Sequence, residues 1–393
     1  MDREIIYLPK EQWKGTILPM DYMSDSRYDV RLEESSGSMT AAFVLKKLAQ
    51  PVMHSGEEYD YPDRLYEDHW EKAFAWGIVE DGTLIAAIET CPEEWSNRLR
   101  VTELWVGKEY RRQGIGHRLM SLAKEQARRE RRRAIILETQ SCNTQAIAFY
   151  RKEGFSLIGF DACCYSNRDM ERGEVRMEMG YLIPKKRRLA ADDIIIRPER
   201  REEWFETECM VRRAFWNKYH RGCDEHVLVH MLREDEAYLP SLSCVAVKDG
   251  KVIGCIMYSR SRIQGEKESC EVLTFGPLCV DPEWQGCGVG ELLVKETMKL
   301  AARAGYPGIV IFGEPDYYPR LGFQTCDRFG ITTADGKNFS SFMGIELEKD
   351  GLAKCRGAFH EAEVFERLTR EAAEEYDRKF PVMEKQYYPG QWD

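Results

Sequence analysis

A six-residue glycine motif occurs twice in this chain, and its surroundings repeat with it. The copies are Arg111-Arg112-Gln113-Gly114-Ile115-Gly116 and Gln285-Gly286-Cys287-Gly288-Val289-Gly290. With Gly114 laid on Gly288, Leu104 falls on Leu278, Val106 on Val280, Glu109 on Glu283 and Tyr110 on Trp284, without a gap. An apolar strand-like run leads into each copy and a helical pattern leads out. Self-similarity over so long a period marks a duplicated structural unit. The chain has 393 residues, enough for two domains that each bury a core.

The parallel extends on both sides of the motif. Asp81-Gly82 separates Trp76–Val79 from Leu84–Ala87, and Asp249-Gly250 separates Cys244–Val247 from Val252–Ile256. Asp-Gly between apolar runs predicts a tight β-hairpin in each half. After the motif, Ile115, Leu119, Leu122, Ala123 and Ala127 recur at helical spacing, as do Val289, Leu293, Leu300, Ala301 and Ala304. Buried-strand runs follow at Ala134–Leu137 and Gly308–Phe312, so each half predicts a right-handed βαβ unit. Tyr150 then precedes Gly154-Phe155, and Tyr318 precedes Gly322-Phe323, by the same four residues. The boundaries predicted are 1–188 and 194–393, with the compact part of the first domain ending near Ile183. The charged, proline-led stretch from Pro184 to Asp193 reads as a linker. Further on come a strand-like Phe342–Leu347, a charged helix-like run Glu361–Lys379 and an aromatic tail, Phe380–Asp393.

Glycine lets backbone approach a ligand closely, and a helix N-terminus offers free N–H groups to phosphate. Neither the G-x-G-x-x-G of dinucleotide folds nor the G-K-[ST] of a P-loop is present. A strand-to-helix glycine turn built twice predicts a phosphorylated cofactor handled in two places.

Composition narrows the partners. The formal net charge of −10 argues against bulk nucleic-acid binding and suits a cationic small substrate. Two basic clusters run against that trend. Arg128, Arg129, Arg131, Arg132 and Arg133 near a helix end read as a solvated face, and Lys185-Lys186-Arg187-Arg188 as linker. No apolar run approaches a membrane span, and the charged N-terminus lacks a secretory signal, so the chain reads as soluble and cytoplasmic. Thirteen scattered cysteines without a C-x-x-C read as reduced, mostly buried thiols, with no case for a metal.

The duplicated motif with its Tyr-x-x-x-Gly-Phe companion resembles the GNAT acyltransferase superfamily across most of both halves. The resemblance implies an α/β (α+β) fold of two tandem domains. Each would hold a mixed, mostly antiparallel sheet with a splayed central strand pair, flanked by helices. It implies acetyl-CoA as cofactor, with pyrophosphate contacts from Arg111, Arg112, Gln113, Gly114, Ile115 and Gly116, and from Gln285, Gly286, Cys287, Gly288, Val289 and Gly290. Pantetheine contacts would come from the backbone of Leu104, Trp105 and Val106 and of Leu278, Cys279 and Val280. The first half is similar to streptothricin acetyltransferases. Matching residues include Val101-Thr102-Glu103-Leu104-Trp105-Val106, Leu137-Glu138-Thr139-Gln140, Asn143, Phe149-Tyr150 and Tyr165-Ser166-Asn167. The second half is similar to predicted N-acetyltransferases carrying Gly276-Pro277-Leu278-Cys279-Val280 and Gly313-Glu314-Pro315-Asp316-Tyr317-Tyr318.

Amine acetylation needs an acceptor for the amine's proton and a proton for the leaving thiolate. Glu103, one residue before the pantetheine run, is the candidate base, or else an ordinary strand carboxylate. Tyr150 and its counterpart Tyr318 are candidate acids, since a phenol stays protonated at neutral pH, or else core aromatics. Asn143 has the chemistry of a helix N-cap, and the resemblance adds a cofactor contact. Glu138, Asp161 and Tyr165 are candidates to line the acceptor site. In the second half Pro277 stands where Glu103 stands in the first, so a base there has to come from elsewhere; Glu271, Glu314 and Asp316 are candidates. The function expected is N-acetyl transfer to a primary amine of a small cationic molecule, by a monomer or homodimer without nucleic-acid or membrane partners. The alternative is that one domain, the second, is a non-catalytic acyl-CoA-binding or structural module. Protein-directed acetylation ranks below both.

Overall fold

The computed structural model describes residues 3–55, 62–266 and 268–392. The chain divides into two units, Met1–Pro184 with Gln386–Pro389, and Lys185–Lys385 with Gly390–Asp393. The first unit opens with β1 (Ile6–Tyr7), the short helix α1 (Lys10–Trp13), and a ribbon of β2 (Tyr22–Ser35) and β3 (Ser38–His54). Then follow β4 (Phe74–Glu80), β5 (Thr83–Glu93), β6 (Arg98–Val106), α2 (Ile115–Arg129), β7 (Ala134–Gln140) and α3 (Thr144–Lys152). The series closes with β8 (Ser156–Asp161), the one-turn α4 (Asp169–Arg172) and β9 (Arg176–Leu182). Seven strands form one sheet in the order β1-β4-β5-β6-β7-β9-β8, and β2 pairs with β3 in a separate ribbon. Sequence reasoning made no prediction of that ribbon.

The second unit repeats the plan with β10 (Ile195–Pro198), α5 (Trp204–Phe215), α6 (Glu225–Arg233), β11 (Cys244–Lys248), β12 (Lys251–Gln264) and β13 (Ser269–Val280). After these come α7 (Val289–Arg303), β14 (Gly308–Phe312), β15 (Gln324–Thr325), β16 (Ile331–Thr333), β17 (Phe342–Glu346), β18 (Gly357–His360) and α8 (Arg370–Asp377). The main path of its sheet is β10-β11-β12-β13-β14-β17-β15, with β18 bridging β12 and β16.

The predicted hairpins form as the turn chemistry requires. Asp81 and Gly82 have φ of 49° and 78°, and Asp249 and Gly250 have 50° and 79°, the paired left-handed residues of a two-residue turn that matches strand twist. The predicted βαβ units form too. In the first, the buried face of α2 (Ile115, Leu119, Met120, Ala123, Ala127) joins a core with Trp76, Ile78, Ile88 and Ile135. In the second, Val289, Leu293, Val294 and Ala301 of α7 join Ile253, Ile256, Tyr258 and Ile309.

One feature of both sheets positions the site. β6 runs parallel to β7 but pairs with it only from Arg98 to Arg100, so the two strands part beyond that point. In the second unit β13 pairs with β14 only at Leu273 and Ile309. A bulge sits at the parting in each copy. Glu89 faces Glu103 and Thr90 faces Val101, which leaves Thr102 as an extra residue in β6. Likewise Ile256 faces Leu278 and Tyr258 faces Phe275, so Gly276 and Pro277 lie opposite the single residue Met257. A bulge bends the strand and re-aims the residues beside it.

Four expectations change. The run Glu361–Lys379 is a single 3-10 turn, Glu363–Phe365, followed by α8, because the Thr369 hydroxyl accepts from the Ala372 amide and starts the helix there. Cys270 and Cys355, 5.4 Å apart at Cα, form a disulfide, so the thiols are not all reduced; spacing alone gave no sign of a pair separated by 85 residues. The basic stretch from Lys185 belongs with the second unit rather than standing free as a linker. The arginines at the end of α2 are less solvated than read: Arg129 pairs with Glu125 at 2.9 Å, and Arg132, its side chain largely buried, pairs with Glu94 and Glu130, both at 2.8 Å.

Part of the aromatic tail packs into the first unit. Trp76 Nε1 donates to the Tyr387 carbonyl at 2.8 Å, and Arg129 lies 4.2 Å from the centre of the Tyr388 ring.

Candidate active site

The two glycine turns share one backbone. Arg112 and Gly114 have φ of 61° and 82°, and Gly286 and Gly288 have 79° and 90°. Left-handed residues alternating through a turn direct successive N–H groups to one side and form an anion-binding concavity. Gly114 and Gly288 are the N-caps of α2 and α7, and no side chain caps either helix. The first-turn amides therefore remain for a ligand, at the positive end of the helix dipole. That fits a pyrophosphate in both places.

The side chains around each turn also correspond. Arg111 Nε donates to the Val106 carbonyl at 2.9 Å, and Gln285 Nε2 donates to the Val280 carbonyl at 3.0 Å. Both lock the end of the strand to the turn, so their side chains build the cradle rather than reach into it. Gln113 Nε2 donates to the Glu109 carbonyl at 3.0 Å. Of the last glycines of the two motifs, Gly290 is the more closely packed. A β-carbon on Gly116 would lie 3.4 Å from Phe149 Cζ, and one on Gly290 would lie 3.0 Å from Tyr317 Oη. Ile115, Cys287 and Val289 are buried beneath their turns.

Leu104–Val106 and Leu278–Val280 lie on the parted sides of β6 and β13. The side chains of Trp105 and Cys279 are buried, and Trp105 Nε1 donates to the Pro19 carbonyl at 2.9 Å. What these segments present to the gap is backbone. Asn143 caps α3 as its residue type predicted, accepting from the Ala146 amide at 3.1 Å.

Glu103 lies at the bulge of β6, partly exposed, and no side-chain hydrogen bond or ion pair engages it among the described residues. Burial of its surroundings, then the charges of Asp63, Glu89, Glu138 and Glu67, hold its carboxyl well above the usual range. Glu89, directly across the ladder, is fully buried. It accepts from the Tyr66 amide at 2.5 Å and the Thr102 hydroxyl at 2.7 Å. Asp63 is also raised, first by burial and then by Glu138. Glu138 is held by Arg176 at 2.7 Å. Tyr150 is buried, and burial followed by the charge of Glu103 raises its phenol, so it keeps its proton through neutral pH. The structure thus brings Glu103 and Tyr150 into one electrostatic neighbourhood. Asp161 and Tyr165 serve their own loop: Asp161 accepts from the Cys163 amide, and the Tyr165 amide donates to Asp169.

Sequence reasoning missed Asp63, Glu67 and Glu89. Only Glu89 left a signal, as a lone carboxylate inside the apolar run Leu84–Cys91.

The second unit has different chemistry at the same place. Tyr318 lies in a 3-10 turn, Tyr318–Leu321, as Pro319 demands. Burial, then Tyr317, Tyr219 and Glu314, raise its phenol. Tyr219, in the loop between α5 and α6, donates to Glu314 at 3.4 Å. Glu225, the first residue of α6, is pushed up to about 8 by burial and then by Asp224, and its charge acts on Tyr219. Sequence reasoning named Glu314 but not Tyr219 or Glu225.

Two family profiles match the chain: one described as "Acetyltransferase (GNAT) family" over residues 43–155, the other as "Acetyltransferase (GNAT) domain" over residues 240–325. The Uncharacterized N-acetyltransferase YhbS of Escherichia coli K12 is 32% identical over 162 residues, which is 41% of this chain and 92% of that protein. The chain belongs to the GNAT acetyltransferase family. Each GNAT fold is carried by one half, and the mixed, mostly antiparallel sheets flanked by helices are those predicted. A solved YhbS structure, in complex with CoA, matches at 28% identity and a TM-score of 0.40 over 48% of this chain and 97% of that one. The Uncharacterized N-acetyltransferase YjhQ of the same organism is 38% identical over 25% of this chain, and the match spans about half, 55%, of its length. A Streptothricin acetyltransferase of Escherichia coli is 31% identical over 28% of this chain and 63% of its own length.

Proposed function

We propose that this tandem GNAT protein transfers an acetyl group from acetyl-CoA to a primary amine of a small cationic molecule, with the first unit as the principal catalyst. The observation that carries this reading is the placement of Glu103, without a partner among the described residues, among the carboxylates Asp63, Glu67, Glu89 and Glu138 and beside the protonated Tyr150. Like charges gathered where burial limits their hydration are unfavourable in isolation, and a cationic acceptor relieves them. The similarity to a streptothricin acetyltransferase supports a small-molecule amine.

Acetyl-CoA, when bound, supplies a thioester. The cradle Arg111–Gly116 would hold its pyrophosphate on backbone amides, and the open edge of Leu104–Val106 would align its arm. Glu103 would accept the proton that the amine loses as the carbon–nitrogen bond forms. A carboxylate held well above its usual range by burial and neighbouring charge is a stronger base than an ordinary one, which suits that task. Tyr150 would donate a hydrogen to the sulfur as the carbon–sulfur bond breaks. Asp63 and Glu138 would attract the cation, and Glu89, buried with both oxygens engaged by Tyr66 and Thr102, would act only through its field. The second unit would hold a second acetyl-CoA in Gln285–Gly290, beside Leu278–Val280, with Tyr318 as the matching donor. Glu225 and Glu314 with Tyr219 favour a catalytic role there over a passive one, despite Pro277.

The test is CoA release by the full chain over a panel of amines that includes streptothricin. On an accepted amine, Glu103→Gln is expected to lower kcat/KM about 100-fold or more, in the range of general-base removal, and Tyr150→Phe about 10-fold or more. Activity that survives Glu103→Gln and is lost on adding Glu225→Gln places the remaining turnover in the second unit. Full activity in both Glu103→Gln and Tyr150→Phe would refute the assigned roles.

A further inference from the structure

The basic run Lys185-Lys186-Arg187-Arg188, read from sequence as linker, lies against the second glycine turn. Lys186 Nζ donates to the carbonyls of Pro282 and Glu283, at 2.8 and 2.7 Å, just before the motif. The Leu189 amide donates to the Cys287 carbonyl, inside the motif, at 2.9 Å. Those contacts pin the chain on both sides of Arg188. The Arg188 side chain then lies directly over Gly288: a β-carbon built there would be 3.0 Å from both its Cγ and its Nε. Its guanidinium pairs with Glu291, in the first turn of α7, at 2.8 Å.

We propose that Arg188 is a ligand of the phosphates of the CoA-type cofactor held in the second cradle. The inference rests on the cradle reading given above and adds to it a residue from outside the repeat. Three observations carry it. A cation beside uncapped amides at the positive end of a helix is electrostatically misplaced unless an anion joins it, and among the described residues its ion-pair partner is Glu291, which also pairs with Lys295. The two cradles also differ in charge. Besides Arg111, whose side chain locks the strand end as Gln285 does, the first carries Arg112 within its motif, where the second has Gly286. Arg188 restores a guanidinium that the second motif lost. Finally, the first unit uses the segment before its first strand in a related way. Arg3 donates to Gln113 at 3.1 Å and pairs with Glu80, while nothing described lies within 4 Å of a β-carbon built on Gly114.

The experiment is calorimetric titration of the full chain with CoA, comparing wild type, Arg188→Ala and Arg188→Lys, with thermal denaturation to verify folding. Wild type is expected to show two sites. Arg188→Ala is expected to weaken one of them roughly tenfold or more and leave the other unchanged, as loss of a charged hydrogen bond implies. Arg188→Lys recovers part of that loss, because a point charge replaces a bidentate fork. With dephospho-CoA, persistence of the loss assigns Arg188 to the pyrophosphate, and its disappearance assigns it to the ribose phosphate; both support the proposal. Two sites unchanged by Arg188→Ala, or one tightened by it, would overturn the proposal while leaving the cradle reading intact. A wild type with fewer than two sites removes the cradle reading, and the proposal with it.

Discussion

Glu103 is held in a state that folding alone would not choose. Burial and four neighbouring carboxylates favour its neutral form, so the folded chain binds a proton there more tightly than the unfolded chain does. The sign follows from linkage. With the folded value raised above an unfolded one of about 4.3, stability is fully present at pH below both and falls as pH rises through the interval. Glu103→Gln removes that penalty. Thermal denaturation should show the variant melting above wild type at pH 8, with the difference vanishing near pH 4. A variant that melts lower than wild type at pH 8 would mean that Glu103 supports the fold instead of straining it. Residue identity in sequence suggested Glu103 and Tyr150 because the resemblance covers their motifs. It could not suggest Asp63 or Glu67, whose effect on Glu103 comes from a segment brought to β6 only by folding.

At the scale of elements, the glycine turn is the unit that repeats most faithfully, and its conformation accounts for its composition. Gly114 has φ of 82° at the N-cap of α2, with nothing described within 4 Å of an added β-carbon. The difficulty for alanine there is backbone strain rather than space. Gly116 lacks that strain, and its added carbon would meet Phe149 at 3.4 Å, an ordinary contact. Gly114→Ala should therefore cost about 1–2 kcal/mol in chemical denaturation, and Gly116→Ala less than about 1 kcal/mol. Equal losses would refute the strain argument. The hairpins, the βαβ units and the Asn143 cap were legible because local chemistry dictates each: Asp-Gly with positive φ, apolar spacing of 3.6, an amide acceptor before a helix. The bulges beside Glu103 and Pro277 were not legible. A single extra residue in a ladder depends on pairing with a distant strand and leaves no local pattern. The β2–β3 ribbon escaped for a related reason. Tyr28, Val30 and Leu32 alternate on one face with Phe43 and Ala41 across from them, and that pattern becomes clear only when the register is known.

For the whole molecule, the repeat read from sequence is a repeat of fold and of glycine turn, and Glu103 stands outside it. The parted strands, the left-handed turns, the uncapped helices and the strand-end hydrogen bonds of Arg111 and Gln285 recur in both units. Glu103 does not recur; Pro277 takes its position, and the charges of Glu314 and Glu225 act on Tyr219 instead. The composition shift at Pro184 lies where the first of the two compact units ends. The return of Gln386–Pro389 to the first unit was not legible, because aromatic residues in a tail do not name the surface they cover. The central claim is that both cradles take CoA. Native mass spectrometry of the full chain with saturating CoA tests it most directly. Two CoA molecules per chain are predicted; one or none would contradict the account.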